Sequence, residues 1–231
     1  SRFLLLNDFT ALALSLTLLP ESQKRQVGSG TAAADAAIGL IGPGTGLGVS
    51  GLFPVGYQNK WIPIAGEGGH VSLSATTEHE FAAIQQLQKR YGHVSAERVI
   101  SGAGLVDLYH ALCDLKDGQG REITTPAEVI ERAQEVPTST ANEALDMFCG
   151  FLGSVAGDLA LTLGARGGIY IGGGIVPRLG ERLDASPFRA RFEAKGRFKK
   201  YLQEVPTWVI HSPVSPALQG ASQALSLTQW Q

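Results

Sequence analysis

Four stretches of this chain put glycine, carboxylate or imidazole directly after a short apolar run, and the carboxyl end of a strand is where open α/β sheets bind ligands. Gly44-Thr45-Gly46-Leu47-Gly48 is one of them. Glycines let successive backbone N–H groups close around a phosphate and Thr45 adds a hydroxyl donor, although a tight hairpin needing positive φ asks for the same glycines. Gly66-Glu67-Gly68-Gly69-His70 places a carboxylate and an imidazole on a backbone too flexible to be there for packing. Glu67 and His70 can hydrogen-bond neighbouring hydroxyls of a polyol, or form an acidic turn with a solvated histidine. Asn7-Asp8 stands at a predicted strand-to-helix junction, where an aspartate is either a positioned carboxylate or an N-cap. Gly172-Gly173-Gly174-Ile175-Val176-Pro177 offers bare backbone, against which a flat group such as adenine lies or another element packs. Glu97, within His93-Val94-Ser95-Ala96-Glu97-Arg98, is the least distinctive, since an exposed helical glutamate needs no function.

These residues need a scaffold, and the apolar patterning supplies one. Phe3 to Leu6 reads as a strand, Phe9 to Leu19 as a helix ended by Pro20, and Glu21 to Asp35 as an exposed loop or hairpin. Ala37 to Ile41 is a strand that passes through the glycine turn and out along Val49 to Val55; Trp61 to Ala65 is another. Phe81, Ile84, Leu87 and Tyr91 recur at helical spacing, which predicts a helix over Glu78 to Tyr91. Shorter helices follow around Ala96 to Ile100 and Gly104 to Leu115. Thr125-Pro126-Ala127-Glu128 is a capping box with proline at the first helical position. A long helix is predicted from Thr140 to Leu163, where Gly150, Gly153 and Gly157 let another backbone come close and Gly164 acts as the stop. A strand at Gly168 to Ile171, a helix from Pro187 to Leu202 broken near Gly196, a strand at Thr207 to Ile210 and a helix over Pro216 to Leu227 complete the chain. Strands alternating with helices predict an α/β layered domain.

A length of 231 residues buries one generous core, or one domain with part of another. With 17% charged residues and a formal net charge of −2, nothing electrostatic recommends nucleic acid as a partner. Cys113 and Cys149 fall in helix-like stretches far apart in sequence, which reads as two reduced, buried thiols of a cytosolic protein. The apolar segments near the start are interrupted by Asn7, Asp8 and Thr10 and carry no basic leader or cleavage site, so they predict neither a signal peptide nor a membrane span. Phe3 to Leu6 begins without a preceding turn or cap, an opening expected of a chain that starts mid-domain.

In this order, the segments from Leu6-Asn7-Asp8-Phe9-Thr10-Ala11 to Gly172-Gly173-Gly174-Ile175-Val176-Pro177-Arg178 closely resemble the bacterial glucokinase family of the actin, sugar-kinase and heat-shock-protein superfamily. Gly44-Thr45-Gly46-Leu47-Gly48-Val49, Gly66-Glu67-Gly68-Gly69-His70-Val71 and Gly92-His93-Val94-Ser95-Ala96-Glu97-Arg98-Val99 carry the match between them. The resemblance implies a ribonuclease-H-like, actin-type ATPase fold, with residues 37–231 as the large C-terminal domain of a two-domain sugar kinase and 1–36 as a remnant of the small one. It implies ATP-dependent phosphorylation of glucose to glucose 6-phosphate. Asp8 would be the catalytic base, Asn7, Glu67, His70 and Glu97 would hold glucose hydroxyls, Gly44, Thr45 and Gly46 would meet the ATP phosphates, and Gly172, Gly173, Gly174 and Ile175 would lie at the adenosine. A carboxylate that accepts the proton late suits a primary alcohol attacking the γ-phosphate, while Mg²⁺ and backbone N–H groups hold the charge. Glucose and ATP are the implied partners of a cytoplasmic homodimer with neither nucleic acid nor membrane. The family opens with an Asp-x-Gly-Gly-Thr-Asn loop that occurs nowhere here, so the chain is expected to be a C-terminal fragment, inactive alone, lacking about a third of the enzyme. The alternative is a sugar-sensing module of the related repressor–kinase type; those relatives carry a cysteine-rich zinc loop after the Gly-Gly-His segment, and Val71 to Thr77 has no cysteine.

Overall fold

The computed structural model describes residues 5–56, 60–116, 118, 122–212 and 216–227. Helix α1 (Asp8–Ser15) leads to strands β1 (Lys24–Val27), β2 (Ile38–Pro43), β3 (Leu47–Val55) and β4 (Lys60–Ala65). Helices α2 (Glu78–Tyr91), α3 (Gly102–Leu115), α4 (Pro126–Glu135) and α5 (Thr140–Leu163) follow. After β5 (Ile169–Ile171) come α6 (Glu181–Asp184), α7 (Phe188–Glu193) and α8 (Lys199–Glu204), then β6 (Thr207–Ile210) and α9 (Ala217–Leu227). The strands form one six-stranded sheet in the order β1-β6-β5-β2-β3-β4. Its centre, β2 with β5 and β5 with β6, is parallel, and antiparallel strands complete both edges.

Successive side chains of a strand point to opposite faces, and the sheet uses both. Ile38, Leu40, Leu52, Tyr170 and Ile210 meet Leu12, Ala13 and Leu16 of the N-terminal segment and Ala224 of α9 on one face. Ile41, Ile169, Ile171 and Val209 meet Leu145, Phe148 and Leu152 of α5 on the other. Fully burying each such side chain contributes about 1.5–3 kcal/mol, so the two helical layers hold the sheet from both sides, the arrangement an α/β domain predicts. α5 is long and apolar enough to cross a membrane, yet 72% of its most apolar window is buried inside the fold; it is a core helix.

Local signals set several boundaries. Thr125 accepts from the Glu128 N–H while the Glu128 carboxylate accepts from the Thr125 N–H, closing the capping box of α4. Ser139 caps α5 and Gly164, at φ 61°, ends it. A Cβ on Gly153 would lie 2.1 Å from the Phe188 carbonyl oxygen and one on Gly157 2.6 Å from that of Phe192, so α7 lies directly on α5. Gly220 does the same for α9 against α1, where a Cβ would come 1.7 Å from the Ala11 carbonyl.

Elsewhere the structure departs from the sequence reading. Leu5 and Leu6 are not in a strand, and Phe3 and Leu4 lie outside the described residues. The helix expected to Leu19 stops at Ser15 and tightens into a 3₁₀ turn over Leu16–Leu18. Lys24–Val27, within the expected loop, is an edge strand paired to β6: Val27 is buried, Lys24 lies over the Trp208 ring and Arg25 reaches Asp184. Ala96 to Ile100 forms turns instead of a helix: Ala96 N–H donates to the Val71 carbonyl and Glu97 N–H to that of Gly69, so the backbone bonds outward. The break expected near Gly196 is present, by contrast: a 3₁₀ turn that begins at Gly196, φ 55°, separates α7 from α8.

Candidate functional site

Helix α1 begins with Asn7, whose Oδ1 accepts from the N–H groups of Phe9 at 2.8 Å and Thr10 at 3.3 Å. The N-cap role open to Asp8 therefore belongs to Asn7. Asp8 is the first helical residue, exposed, with Oδ1 accepting from the Phe9 N–H at 2.8 Å. Asn7 keeps its amide nitrogen as a donor for a ligand. The next residue anchors the pair: a Cβ on Gly42 would lie 2.4 Å from the Phe9 ring, and one on Gly48 2.1 Å from it. Gly42 and Gly48 face each other across the β2–β3 ladder, so the ring sits on a patch of bare backbone and holds Asp8 beside the hairpin.

The other polyol-binding candidates meet at the same hairpin. Glu67–His70 is a turn closed by the His70 N–H on the Glu67 carbonyl at 3.0 Å. It packs on β3, since a Cβ on Gly69 would lie 2.2 Å from the Leu47 carbonyl. The outward-bonded turn at 96–100 delivers Glu97 to this place, where its Oε2 accepts from the Leu47 N–H at 2.8 Å. His70 stands between the carboxylates, Nε2 3.9 Å from Glu67 and Nδ1 3.9 Å from Glu97. Both separations exceed hydrogen-bond length, so each group retains capacity for a ligand's hydroxyls. Glu67, His70 and Glu97 are thus brought together, two carboxylates and an imidazole lining one edge.

Two cavities flank the carboxyl ends of the parallel strands. One, of about 580 Å³, is lined by Asp8, Phe9, Gly172, Gly173, His211 and Ser212 among others. The second, of about 860 Å³, joins Gly44 and Thr45 to Gly174 and Ile175. The glycine segment is therefore shared, Gly172 and Gly173 facing Asp8 and the next two residues facing Thr45. Gly173 is required by its φ of 81° and by the Pro43 carbonyl 2.2 Å from where a Cβ would stand. In the turn itself neither Gly44 nor Gly46 has positive φ, so the hairpin is not what demands them: a Cβ on Gly46 would lie 2.5 Å from the Glu97 carboxylate, whereas one on Gly44 would meet nothing within 4 Å.

Sequence reasoning missed the far wall of the larger cavity, Gly102 and Ala103 of α3 with Pro126, Ile130, Glu131 and Gln134 of α4. The capping box marked where α4 starts but not what it faces. Gly102 N–H donates to the Gly44 carbonyl at 2.8 Å, and the Pro126 ring lies 3.2 Å from where a Gly102 Cβ would be; those contacts carry α4 to the turn. Among the described residues no group of three or more His, Cys, Asp or Glu side chains is placed to hold a metal ion.

A sequence model described as Glucokinase matches residues 1–228. The chain is 52% identical over 225 residues to a glucokinase of Aromatoleum aromaticum, covering 97% of this chain and 67% of that one. To a glucokinase of Chromobacterium violaceum it is 52% identical over 226 residues, covering 98% of this chain and 64% of that one. A crystal structure of glucokinase from an Antarctic psychrotroph superposes with a TM-score of 0.88 at 35% identity, over 96% of this chain and 68% of the other. The chain spans about two thirds of the length of each.

Proposed function

The chain belongs to the glucokinase family, and on that premise we propose that it carries the sugar site and part of the nucleotide site of an ATP-dependent glucose kinase. Glu67, His70, Glu97 and the Asn7 amide hold the sugar's hydroxyls, which is positioning: it leaves the 6-hydroxyl as the group presented to the nucleotide. Asp8 accepts the proton as the sugar oxygen bonds to the γ-phosphorus and the bond to the β-phosphate oxygen breaks, so that glucose 6-phosphate and ADP leave. The phosphates lie at Gly44 and Thr45 and the adenosine at Gly174 and Ile175, the parts of the two glycine segments that line the larger cavity. Mg²⁺ is at home on phosphate oxygens with one or two carboxylates, and would supply charge neutralisation there. The same reading makes the protein a cytoplasmic homodimer, its buried thiols Cys113 and Cys149 suited to a reducing compartment.

One observation carries the proposal. The β2–β3 turn has the sugar cluster on one side and the nucleotide cavity on the other: Leu47 N–H binds Glu97 at 2.8 Å, while Gly44 and Thr45 line the larger cavity. A single short turn thus sets the separation of the two reactants. Calorimetric titration with glucose tests it. Replacing Glu67 by Gln weakens the affinity by about 1–3 kcal/mol, the worth of a charge-assisted hydrogen bond. Unchanged affinity removes Glu67 from the site, and absence of glucose binding by the wild-type chain overturns the sugar assignment.

A further inference from the structure

Helix α4 lies along the larger cavity like a rule. Pro126, Ala127, Ile130, Glu131 and Gln134 share one face and line it, while Val129 and Ala133 on the opposite face are buried in the core. The Pro126 end is fixed at the glycine turn through Gly102. At 1.5 Å per residue Glu131 is about 7–8 Å further out and Gln134 about 12 Å. A nucleoside triphosphate whose phosphates lie at Gly44 and Thr45 therefore lays its ribose near Glu131 and its base beyond, between α4 and the bare backbone of Gly174 with Ile175.

Glu131 is the one carboxylate among the described residues lining this cavity. Its neighbours on the helix are engaged elsewhere, Glu128 in the capping box and Glu135 with Arg132 at 3.8 Å. No hydrogen bond or ion pair from the described residues engages Glu131. An ionised carboxylate only accepts, so it needs donors: beside phosphates it would repel, whereas a vicinal diol offers two O–H donors to its two oxygens. We propose that Glu131 makes this a ribonucleotide site, its carboxylate accepting hydrogen bonds from the 2′- and 3′-hydroxyls of the phosphoryl donor. The inference rests on the placement of ATP in this cavity and adds the selection of its sugar.

Equilibrium titration of the chain with ATP and with 2′-deoxy-ATP, both with Mg²⁺, tests it without requiring turnover. The wild type should bind ATP roughly tenfold or more tightly than the deoxy analogue, the worth of one hydrogen bond to a charged group. Glu131→Ala should abolish the preference, bringing ATP and 2′-deoxy-ATP to equal affinity with the larger loss on ATP, since the deoxy analogue gives up only its 3′-hydroxyl bond, and Glu131→Gln, which keeps one acceptor, should recover part of the preference. A ratio between the two nucleotides that does not change in Glu131→Ala, or an equal loss for both, overturns the proposal. Ile130→Trp fills part of the cavity that Ile130 lines and should weaken both nucleotides. If it weakens neither, or if the wild type binds neither, the nucleotide does not occupy this cavity and the underlying assignment fails instead.

Discussion

Replacing Gly46 by Ala puts a methyl group where the structure has 2.5 Å to the Glu97 carboxylate. The backbone tolerates alanine, because φ at this position is not positive, so the conflict is resolved by the side chain. Glu97 is the movable partner, its side chain 32% exposed, and moving it breaks the hydrogen bond from the Leu47 N–H, 2.8 Å long. A hydrogen bond to a charged acceptor is worth about 1.5–3 kcal/mol. If Glu97 holds a sugar hydroxyl, its displacement should lower glucose affinity by roughly tenfold or more. Gly44→Ala is the matched control: its Cβ meets no protein atom within 4 Å but projects from a residue that lines the larger cavity. It should weaken ATP and spare glucose, while Gly46→Ala weakens glucose. Calorimetry with each ligand reads both. Equal losses in the two variants, or a Gly46→Ala protein with wild-type glucose affinity, would refute the division of the turn between sugar and nucleotide.

In a form of the protein that phosphorylates glucose, Asp8→Asn should lower turnover by roughly 10²–10⁴, the usual contribution of a positioned general base, with glucose affinity retained; near-normal rates in a coupled glucose 6-phosphate assay count against the base assignment. Glu80, 4% exposed, pairs with Arg191, which also binds Ser154, and Glu80→Gln should cost about 1.5–3 kcal/mol by leaving the half-buried guanidinium without its counter-charge. Burial pushes the Glu80 carboxyl up, but Arg191 and the Thr76 N–H more than offset it and the net shift is downward. Its stabilisation is therefore present above the ordinary carboxylate range and lost as pH falls through the lowered value, so the variant should show a flatter acid limb in Tm against pH; an unchanged limb assigns the acid sensitivity to other groups. Sedimentation at micromolar concentration should show a dimer, and a monomer contradicts the homodimer assignment.

The elements read correctly from sequence are those whose ends are decided within a turn of chain. α5 runs from Thr140 to Leu163 as its pattern predicts because Ser139 and Gly164 settle its ends locally, and α4 follows from its capping box. Lys24-Arg25-Gln26-Val27 failed because only one of its four residues is apolar; its strand exists through the pairing with β6, a partner far along the chain. The same division runs through the site. Asn7, Asp8, Glu67 and His70 are conspicuous by type and motif and Glu97 only through the family resemblance, yet the α4 wall was invisible, since nothing local links Pro126 to Gly44. The glycine turn shows best what a motif hides. Gly44-Thr45-Gly46-Leu47-Gly48 reads as one phosphate-gripping device, but in the structure its glycines answer three separate demands. Gly44 opens onto the larger cavity, Gly46 yields to the Glu97 carboxylate and Gly48, paired with Gly42, seats the ring of Phe9. Two of those demands come from residues distant in sequence, so the spacing of the glycines records where α1 and the 96–100 turn must dock, and through them where Asp8 and Glu97 stand.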